Sequence, residues 1–380
     1  MKIIRATTIP LSLTTFCGGL LTELREEDGY DVVALSSPGP ELDALGRNEG
    51  VRTIGVKMRR DIAPLADLRA LLRLVRVLRR EKPDLIHTMT PKAGLLGMMA
   101  ASIAGVPVRL HTFTGLLFPT ATGLRRHLLK FTDRLTCLAA THINPEGQGV
   151  AADLREARIT KKPLRVLANG NVRGVDPDHW SPTPGIIAAG ADIRRHLGIP
   201  ADAFVFIFIG RFVGDKGLRE LLTVFPNLPS SAHLVLVGAT DGSRDDIPAG
   251  MLAGNGRIHL SGGWVDDVRP WLAMADTLVF PSYREGFPNV VLEAGAMSIP
   301  SIVTDINGSR EIITSGQNGL VIPPRTTAPL LEAMTAMLSL PTADRRAMGA
   351  AARADVLARF TTTTIRSALR AFYREILPNS

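Results

Sequence analysis

The chain has little cysteine, few aromatic residues and no long apolar run. Only Cys17 and Cys137 occur in 380 residues, so neither a disulfide framework nor a zinc cluster is expected. No apolar stretch approaches the roughly 20 residues that a membrane-spanning helix needs. Aromatic residues make up 5% of the chain, and no motif for base stacking or nucleic-acid recognition is present. The hydrophobic content of 45% is that of a soluble globular protein.

The N-terminal segment has the charged start of a signal peptide but lacks its other parts. Pro10 interrupts the apolar stretch that follows residues 1–5, and no clear small-residue cleavage site precedes the polar run at 23–27. We therefore expect a cytoplasmic protein whose first residues form a strand and a helix.

Positive charge is concentrated in the first half of the chain. The net charge is +8, but residues 1–175 carry +10 and the remainder carries −2. Four arginines recur at helical spacing in this half, at Arg69, Arg73, Arg76 and Arg80. The basic half therefore needs a partner of its own.

A second basic cluster, at residues 123–131, follows the loop 113–122. This loop contains three apolar residues that we expect to be exposed, Leu116, Leu117 and Phe118. Basic helices beside an apolar loop suit the surface of an anionic membrane, and we expect peripheral binding to the inner face of the cytoplasmic membrane. A merely solvated helix face is an equal alternative.

Short Val/Ile/Leu runs alternate with longer helical stretches, which predicts parallel sheets built from β-α-β units. Strands are expected at 2–6, 31–35, 51–56, 84–87, 108–111, 141–143, 204–210, 233–238, 277–280, 301–303 and 319–322. Helices are expected at 13–27, 65–80, 92–104 and 123–138. The length predicts two domains. The Pro/Gly-rich stretch 169–185 is the expected linker, which gives domains at 1–172 and 173–360.

The most informative feature is a pair of glutamates eight residues apart, Glu285 and Glu293. They follow the apolar run 277–280. Glu285 lies in a short Gly/Pro loop, and Glu293 lies about one turn into a helical stretch that begins near Pro288. A strand, a loop and a helix start in this order form an anion site, because the first amides of a helix have no internal partners.

This spacing resembles the E-x7-E signature of retaining glycosyltransferases of family 4, which have the GT-B fold. The resemblance implies two Rossmann-like domains facing across a cleft, with residues 361–380 forming a helix that returns to the first domain. It also implies that Glu285 lies near the donor sugar and Glu293 on the nucleotide ribose. Residues 210–217 resemble the family's G-R-x-x-x-x-K-G element, which implies that Arg211 and Lys216 hold the donor phosphates.

The resemblance extends to the remaining donor elements. Trp264 and Val265, after Gly262 and Gly263, match a position that offers backbone to the nucleotide base. The glutamate loop would bind the β-phosphate and the sugar hydroxyls through Gly286, Phe287, Pro288, Asn289 and Val290. Segments 304–311 and 316–319 resemble the next two elements of the family, which have a structural role. By this resemblance, Glu311 would support the donor site.

The acceptor half is matched more loosely. Residues 83–94, with Lys92, resemble the segment near the acceptor, and the loop 10–14, with Leu13, follows the first strand. Many members carry a T-x-H-G pattern whose histidine contacts the transferred sugar. Here Thr114 occupies that place, unless His111 substitutes.

The resemblance implies a retaining transferase that moves a UDP-linked hexose or N-acetylhexosamine to a polyprenyl-diphosphate-linked or glycan acceptor. Similarity to capsule and cell-surface polysaccharide transferases points the same way. No Asp-x-Asp metal pair is evident, so neither a metal nor another cofactor is expected. Three alternatives remain: an epimerase or phosphorylase of the same fold, a basic nucleic-acid-binding or membrane-binding protein without catalysis, and an inactive scaffold.

Overall fold

The computed structural model describes residues 1–240, 242, 246–247, 249–252 and 256–377. The chain separates into two compact units of similar size. Unit one comprises Met1–Arg173 with Thr363–Ser380, and unit two comprises Gly174–Thr362.

Unit one is an α/β layer structure around one parallel sheet. Its strands are β1 (Lys2–Ala6), β2 (Asp31–Ser36), β3 (Arg52–Gly55), β4 (Leu85–Met89), β5 (Val108–Phe113) and β6 (His142–Pro145). Its helices are α1 (Pro10–Cys17), α2 (Leu20–Glu26), α3 (Pro40–Glu49), α4 (Pro64–Glu81), α5 (Pro91–Ala104), α6 (Gly123–Ala139) and α7 (Gln148–Glu156). The strand order is β3-β2-β1-β4-β5-β6.

Unit two repeats this plan. Its strands are β7 (Phe204–Ile209), β8 (Ala232–Val237), β9 (Ile258–Leu260), β10 (Thr277–Phe280), β11 (Ser301–Thr304) and β12 (Gly319–Ile322). Its helices are α8 (Pro184–His196), α9 (Leu218–Val224), α10 (Ala249–Leu252), α11 (Arg269–Ala273), α12 (Asn289–Ala296), α13 (Ser309–Ile312), α14 (Ala328–Ser339) and α15 (Thr342–Arg359). The order β12-β11-β10-β7-β8-β9 places the first strand of the unit beside its fourth. The last helix of the chain is α16 (Thr362–Ile376).

The predicted α/β architecture with two Rossmann-like parallel sheets is confirmed. Each predicted strand is present, with ends shifted by at most two residues. Several elements were not predicted, among them β9, α3, α7 and α8. The short strand β9 has only three residues, too few to produce a readable periodicity.

The prediction of one continuous helix over 13–27 is wrong, because Gly18 and Gly19 divide it into α1 and α2. Gly19 has φ +77°, which a helix interior does not allow. The Glu49 carboxylate then binds the new N-terminus, accepting hydrogen bonds from the amides of Gly19 at 2.5 Å and Thr22 at 3.0 Å. An anion at this end is favourable because the first amides of a helix are unpaired.

The two faces of the sheet in unit one bury separate cores. Helices α4, α5, α6 and α7 cover one face, while α1, α2, α3 and α16 cover the other. Side chains of α16, including Leu369 and Phe372, pack with Ile3 and Leu13. The end of the chain therefore completes the core of unit one.

The prediction that the loop 113–122 exposes its apolar side chains is wrong for Leu116 and Phe118, whereas Leu117 is half-buried. Leu116 and Phe118 are only 4% and 3% exposed, because both pack into the core beneath α4, α5 and α6. Large apolar side chains are exposed instead on α4 and α6, at Leu65, Leu68, Leu72, Leu124, Leu128, Phe131 and Leu138.

Two further features follow from the described residues alone. None of the helices in these ranges is both long enough and apolar enough to cross a bilayer. Within the same ranges, no group of three or more His, Cys, Asp or Glu side chains is arranged to hold a metal ion.

Candidate donor site

The loops that follow β7 and β10 meet at one edge of the sheet in unit two. These strands are hydrogen-bonded neighbours although two other strands, β8 and β9, lie between them in the sequence, so the strand order reverses between them. In open α/β sheets, ligands bind outside the carboxyl ends of the strands at this reversal. Both loops carry residues that the sequence singled out.

Backbone packing holds the two loops together. Gly217 has φ +72°, and a Cβ on it would lie 2.0 Å from the carbonyl oxygen of Pro281. The amide of Tyr283 donates to the carbonyl of Asp215 at 2.8 Å, and the Arg284 guanidinium donates to the Asp215 carboxylate at 3.1 Å. A side chain at position 217 would therefore separate the loops.

A direct polar contact between the loops joins Lys216 to Glu285. The Lys216 ammonium donates to Oε1 of Glu285, and the Ser282 hydroxyl donates to the same oxygen at 2.7 Å. Lys216 Nζ also lies 5.5 Å from the centre of the Phe280 ring. The two charged side chains are only 14% and 17% exposed, so they form a largely shielded ion pair.

The segment after Glu285 is fixed by tight packing against α13. Gly308 has φ +73°, and a Cβ on it would lie 2.6 Å from the carbonyl oxygen of Gly286. Phe287 is 5% exposed and packs 5.4 Å from the Phe360 ring. Since Phe287 and Pro288 are buried, this segment can offer a ligand its backbone more readily than these side chains.

The helix α12 begins at Asn289 and carries Glu293 as its fifth residue. Asn289 and Val290 are half-buried in its first turn, whereas Glu293 is only 8% exposed. A carboxylate is rarely buried to this extent unless it has polar partners or a ligand. The two glutamates thus lie in different surroundings. Glu285 forms an ion pair with Lys216, whereas Glu293 is buried on the helix α12.

Three further predicted donor residues follow the carboxyl ends of β7 and β9. Trp264 and Val265 follow β9, and the Trp264 side chain is 64% exposed. The Ser261 hydroxyl braces this turn by donating to the carbonyl of Gly263 at 2.6 Å. Arg211 is half-buried in the loop after β7, five residues before Lys216. The residues predicted for the donor therefore follow β7, β9 and β10, all at one edge of the sheet.

The predicted acceptor residues lie in unit one and differ in accessibility. Leu13 is fully buried in the core, so its side chain cannot contact a ligand there. Lys92 pairs with the Asp67 carboxylate at 2.5 Å, and that pair joins α5 to α4. Neither side chain was expected to be engaged in this way from the sequence.

His111 and Thr114 lie at the carboxyl end of β5. His111 is 2% exposed, its Nδ1 lies 2.8 Å from the Thr88 hydroxyl, and burial lowers its pKa to about 3. It is therefore neutral at physiological pH. Thr114 is half-buried and lines a small recess together with His111 and Asp133 of α6.

Asp133 was missed by the sequence reasoning. Burial raises its pKa to about 7, a value at which a carboxyl group exchanges protons near neutral pH. Its only sequence signal is an acidic residue within an otherwise basic helix, and that pattern usually marks a solvated face.

Known families match both halves of the chain. Residues 13–170 match the family described as "Glycosyl transferase 4-like domain", and residues 203–339 match "Glycosyl transferases group 1". The predicted resemblance therefore extends over both units.

Three curated bacterial relatives match most of the chain. The capsular polysaccharide biosynthesis glycosyltransferase CapM of Staphylococcus aureus is 29% identical, over 84% of this chain and 83% of its own. The lipopolysaccharide core biosynthesis glycosyltransferase LpsE of Rhizobium meliloti is 30% identical, over 77% and 78%. The UDP-Gal:alpha-D-GlcNAc-diphosphoundecaprenol alpha-1,3-galactosyltransferase of Escherichia coli is 28% identical, over 79% and 78%.

The fold is that of solved glycosyltransferases. HepE of Anabaena, crystallised with UDP-glucose, superposes with a TM-score of 0.80 at 20% identity, covering 99% of this chain and 100% of that one. Both Rossmann-like sheets thus match the GT-B architecture. The chain therefore combines a glycosyl transferase 4-like domain with a domain of the glycosyl transferases group 1, and it belongs to the family 4-like glycosyltransferases.

Proposed function

We propose that this enzyme transfers a hexose or N-acetylhexosamine from UDP to a lipid-linked or glycan acceptor, with retention of the anomeric configuration, in cell-surface polysaccharide synthesis. The observation that carries the proposal is the meeting of Lys216 and Glu285 where the strand order of unit two reverses. A cation for a diphosphate and a carboxylate for a sugar are brought together there.

The donor chemistry is supported by the surroundings of this pair. Lys216 supplies a compact charge, Arg211 a planar fork, and the segment Gly286–Asn289 backbone amides at the start of α12. UDP is favoured because the Escherichia coli relative is named for UDP-Gal and HepE was crystallised with UDP-glucose.

In the proposed reaction, the bond from the anomeric carbon to the β-phosphate oxygen breaks and a bond to the acceptor oxygen forms on the same face. Arg211, Lys216 and the loop amides stabilise the negative charge that develops on the leaving UDP. The leaving phosphate accepts the acceptor proton. Glu285 orients the donor sugar, Glu293 binds the ribose, and no metal ion or cofactor takes part.

A lipid-diphosphate acceptor would bring the enzyme to an anionic membrane, and unit one has a surface that fits. The helices α4 and α6 both pack against α5, and each exposes apolar side chains beside basic ones. Exposed basic residues on these helices are Arg69, Arg73, Arg76, Arg79, Arg80, Arg125, Arg126 and Arg134. Each contributes about 1 kcal/mol near an anionic leaflet.

Donor choice and stereochemistry can be tested directly. Thermal shift with UDP-, GDP- and ADP-sugars identifies the donor, and NMR of the product reports its anomeric configuration. We expect turnover with a UDP-sugar that persists in EDTA, is lost in Glu285→Ala, and is unchanged in Glu332→Ala, which alters an exposed residue of α14. An inverted product, or interconversion of the UDP-sugar without acceptor, would contradict the proposal; the second result would indicate an epimerase.

Membrane binding is tested by flotation with phosphatidylcholine vesicles with and without phosphatidylglycerol. We expect the protein to bind only the anionic vesicles and this binding to weaken as salt is added. The double variant Leu124→Ser/Phe131→Ser should bind the anionic vesicles less than the wild type does. The control Ile187→Ser changes a comparably exposed apolar residue of unit two and should leave binding intact. Equal binding of neutral vesicles, or a salt-dependent gel shift with nucleic acid alone, would contradict this surface.

A further inference from the structure

Unit one contains a groove at the end of α6. The last turns of α6 form one side of it, and residues 159–163, which follow α7, form the other. Its volume is about 640 Å³, which is a usual size for a small-molecule site. The helix α6 runs from the carboxyl end of β5 to the amino end of β6 over 17 residues, or roughly 25 Å. The groove therefore lies at the opposite end of α6 from the predicted acceptor residues His111 and Thr114.

Lys162 holds the two sides of the groove together. Its ammonium donates to the carbonyl oxygens of Cys137 at 2.8 Å and Leu138 at 2.9 Å, and also to that of Ala140. The last carbonyls of a helix have no partner within the helix, so an ammonium at this end is stabilising. An ammonium has three hydrogens to donate, and here all three are used. Lys162 therefore shapes the groove and is not available to a ligand.

The lining of the groove is mainly apolar. Cys137 and Ile159 are 1% and 5% exposed and join the groove to the core, whereas Leu138 is 74% exposed at its edge. Leu135 and Pro163 also line it. Burial raises the pKa of the Cys137 thiol to about 12, so this side chain contributes a neutral surface. Such a lining suits a hydrocarbon chain, because apolar surface is stabilised when it leaves water.

Two cations border this apolar lining. Arg134 and Lys161 are exposed, and within the described ranges neither forms an ion pair with a carboxylate. The Arg134 guanidinium makes only long contacts, at 3.4 Å, to the carbonyl oxygens of Ala157 and Arg158. No acidic side chain belongs to the described lining. The groove thus favours a ligand that has an anionic head and an apolar tail.

The groove is continuous with an apolar stripe along α6. Leu124, Leu128, Phe131, Leu135 and Leu138 recur at intervals of four and three residues, which places them on one face of the helix. The residues at the two ends of the stripe, Leu124 and Leu138, are 88% and 74% exposed. This stripe belongs to the surface that we propose to contact an anionic membrane. A groove that opens onto the same surface would meet lipid, which favours a lipid over a protein as its ligand.

We propose that this groove binds one hydrocarbon chain of an anionic membrane lipid, with the lipid phosphate against Arg134 and Lys161. The proposal rests on the proposed function in one respect, namely that the enzyme meets an anionic membrane. The stripe along α6 contacts the surface of the leaflet, whereas the groove takes a single lipid molecule. Membrane binding would then depend on the headgroup of that lipid as well as on the surface charge of the membrane.

The test uses single lipid molecules, so that binding in the groove is separated from binding to a membrane surface. The probes are lauroyl-lysophosphatidylglycerol and lauroyl-lysophosphatidylcholine, each below its critical micelle concentration, and glycerol 3-phosphate, which has no chain. In calorimetry with the full chain, we expect one molecule of the anionic lysolipid to bind per protein. The choline lysolipid should bind about tenfold more weakly or less, because two cations face its headgroup. Glycerol 3-phosphate should show no measurable binding.

Variants of the groove identify its contacts. Leu138→Ser should weaken the anionic lysolipid about fivefold or more, because part of the apolar wall is lost. Arg134→Gln/Lys161→Gln should abolish the preference for the anionic lysolipid over the choline lysolipid. All three side chains are exposed, so these variants should fold as the wild type does.

Matched controls lie at the other end of the same helix. Leu124→Ser changes a leucine that is as exposed as Leu138, and Arg125→Gln/Arg126→Gln removes two exposed cations. Both controls alter the surface proposed to contact the leaflet but not the groove. They should bind the anionic lysolipid with the affinity of the wild type.

Equal affinities for the two lysolipids, or equal affinities of Leu138→Ser and the wild type, would overturn the proposal. Sedimentation without lipid examines another occupant. A dimer that Leu138→Ser converts to a monomer, and Leu124→Ser does not, would place a second copy of the chain in the groove and would also overturn the proposal.

The outcomes also distinguish this proposal from the proposed function. If the wild type transfers sugar and binds anionic vesicles but binds neither lysolipid, the groove proposal alone fails. If the wild type binds the anionic lysolipid as expected but transfers no sugar, the groove proposal stands and the proposed function fails.

Discussion

The ion pair of Lys216 and Glu285 makes a quantitative prediction about nucleotide binding. In the structure, the ammonium is paired with the carboxylate, and both side chains are more than four-fifths shielded from solvent. A bound diphosphate would compete with Glu285 for this cation. Replacing Lys216 with alanine would remove the cation and leave the carboxylate unpaired beside the incoming phosphate.

Two terms set the size of the effect. A charge-assisted hydrogen bond contributes about 1.5–3 kcal/mol, and an uncompensated shielded carboxylate adds repulsion. We therefore expect Lys216→Ala to weaken UDP binding by ~2–4 kcal/mol, or roughly 30- to 1,000-fold. Uridine lacks the diphosphate, so its affinity should change less than about threefold.

The competing carboxylate can be examined by itself. Glu285→Gln removes the charge that occupies Lys216, so UDP should bind roughly three- to tenfold more tightly although turnover falls. The double variant Lys216→Ala/Glu285→Gln should recover roughly fivefold of the affinity lost in Lys216→Ala.

Isothermal titration calorimetry with UDP, and NMR titration with uridine, measure these four affinities. Equal losses for UDP and uridine in Lys216→Ala would refute the phosphate role. A double variant that binds UDP no better than the single one would show that Glu285 does not oppose the phosphate.

Three further predictions follow from the same structure. Gly217→Ala should destabilise unit two by about 2 kcal/mol or more and reduce UDP affinity, because its Cβ would collide with Pro281. The control Gly262→Ala, at φ +77° with open space around it, should cost about 1 kcal/mol. Thermal unfolding compares the stabilities of the two variants. Glu293→Gln should abolish the preference for UDP over 2′,3′-dideoxy-UDP, and an undiminished preference in calorimetry would contradict its ribose role. Asp133→Asn should raise the melting temperature at pH 8 and not at pH 4. The pKa of Asp133 in the folded protein, about 7, lies above the value of 3.8 for a free Asp, so the unfolded chain releases this proton at lower pH. The free energy of unfolding of the wild type therefore falls by up to ~4 kcal/mol as the pH rises from 3.8 to about 7.

The strands of both sheets could be predicted from the sequence, because parallel strands are buried on both faces and appear as continuous apolar runs. The run Thr277–Phe280 is a strand with the predicted ends, and the loop after it holds Glu285 as expected. The helix break at Gly18 and Gly19 was not predictable in the same way, because the apolar pattern continues across it. What stabilises that break is the Glu49 carboxylate, which lies 30 residues away in the sequence.

The exposure of the loop 113–122 was mispredicted for a related reason. Leu116 and Phe118 follow a strand and precede a basic helix, so local sequence favours a surface position. Burial depends on the neighbouring layer, and here α4, α5 and α6 supply a core into which both side chains fit. On the following helix α6 the packing goes the other way, and Leu124 is 88% exposed.

The same limit applies to the chemistry of single residues. Lys216 and Glu285 could each be recognised from a motif, but their ion pair exists only because the strand order brings β7 beside β10. Asp133 belongs to no recognised motif, and its raised pKa arises from burial that its basic neighbours along α6 conceal. Motifs identify groups that a family shares, whereas a side chain whose properties come from packing becomes visible only when its surroundings are known.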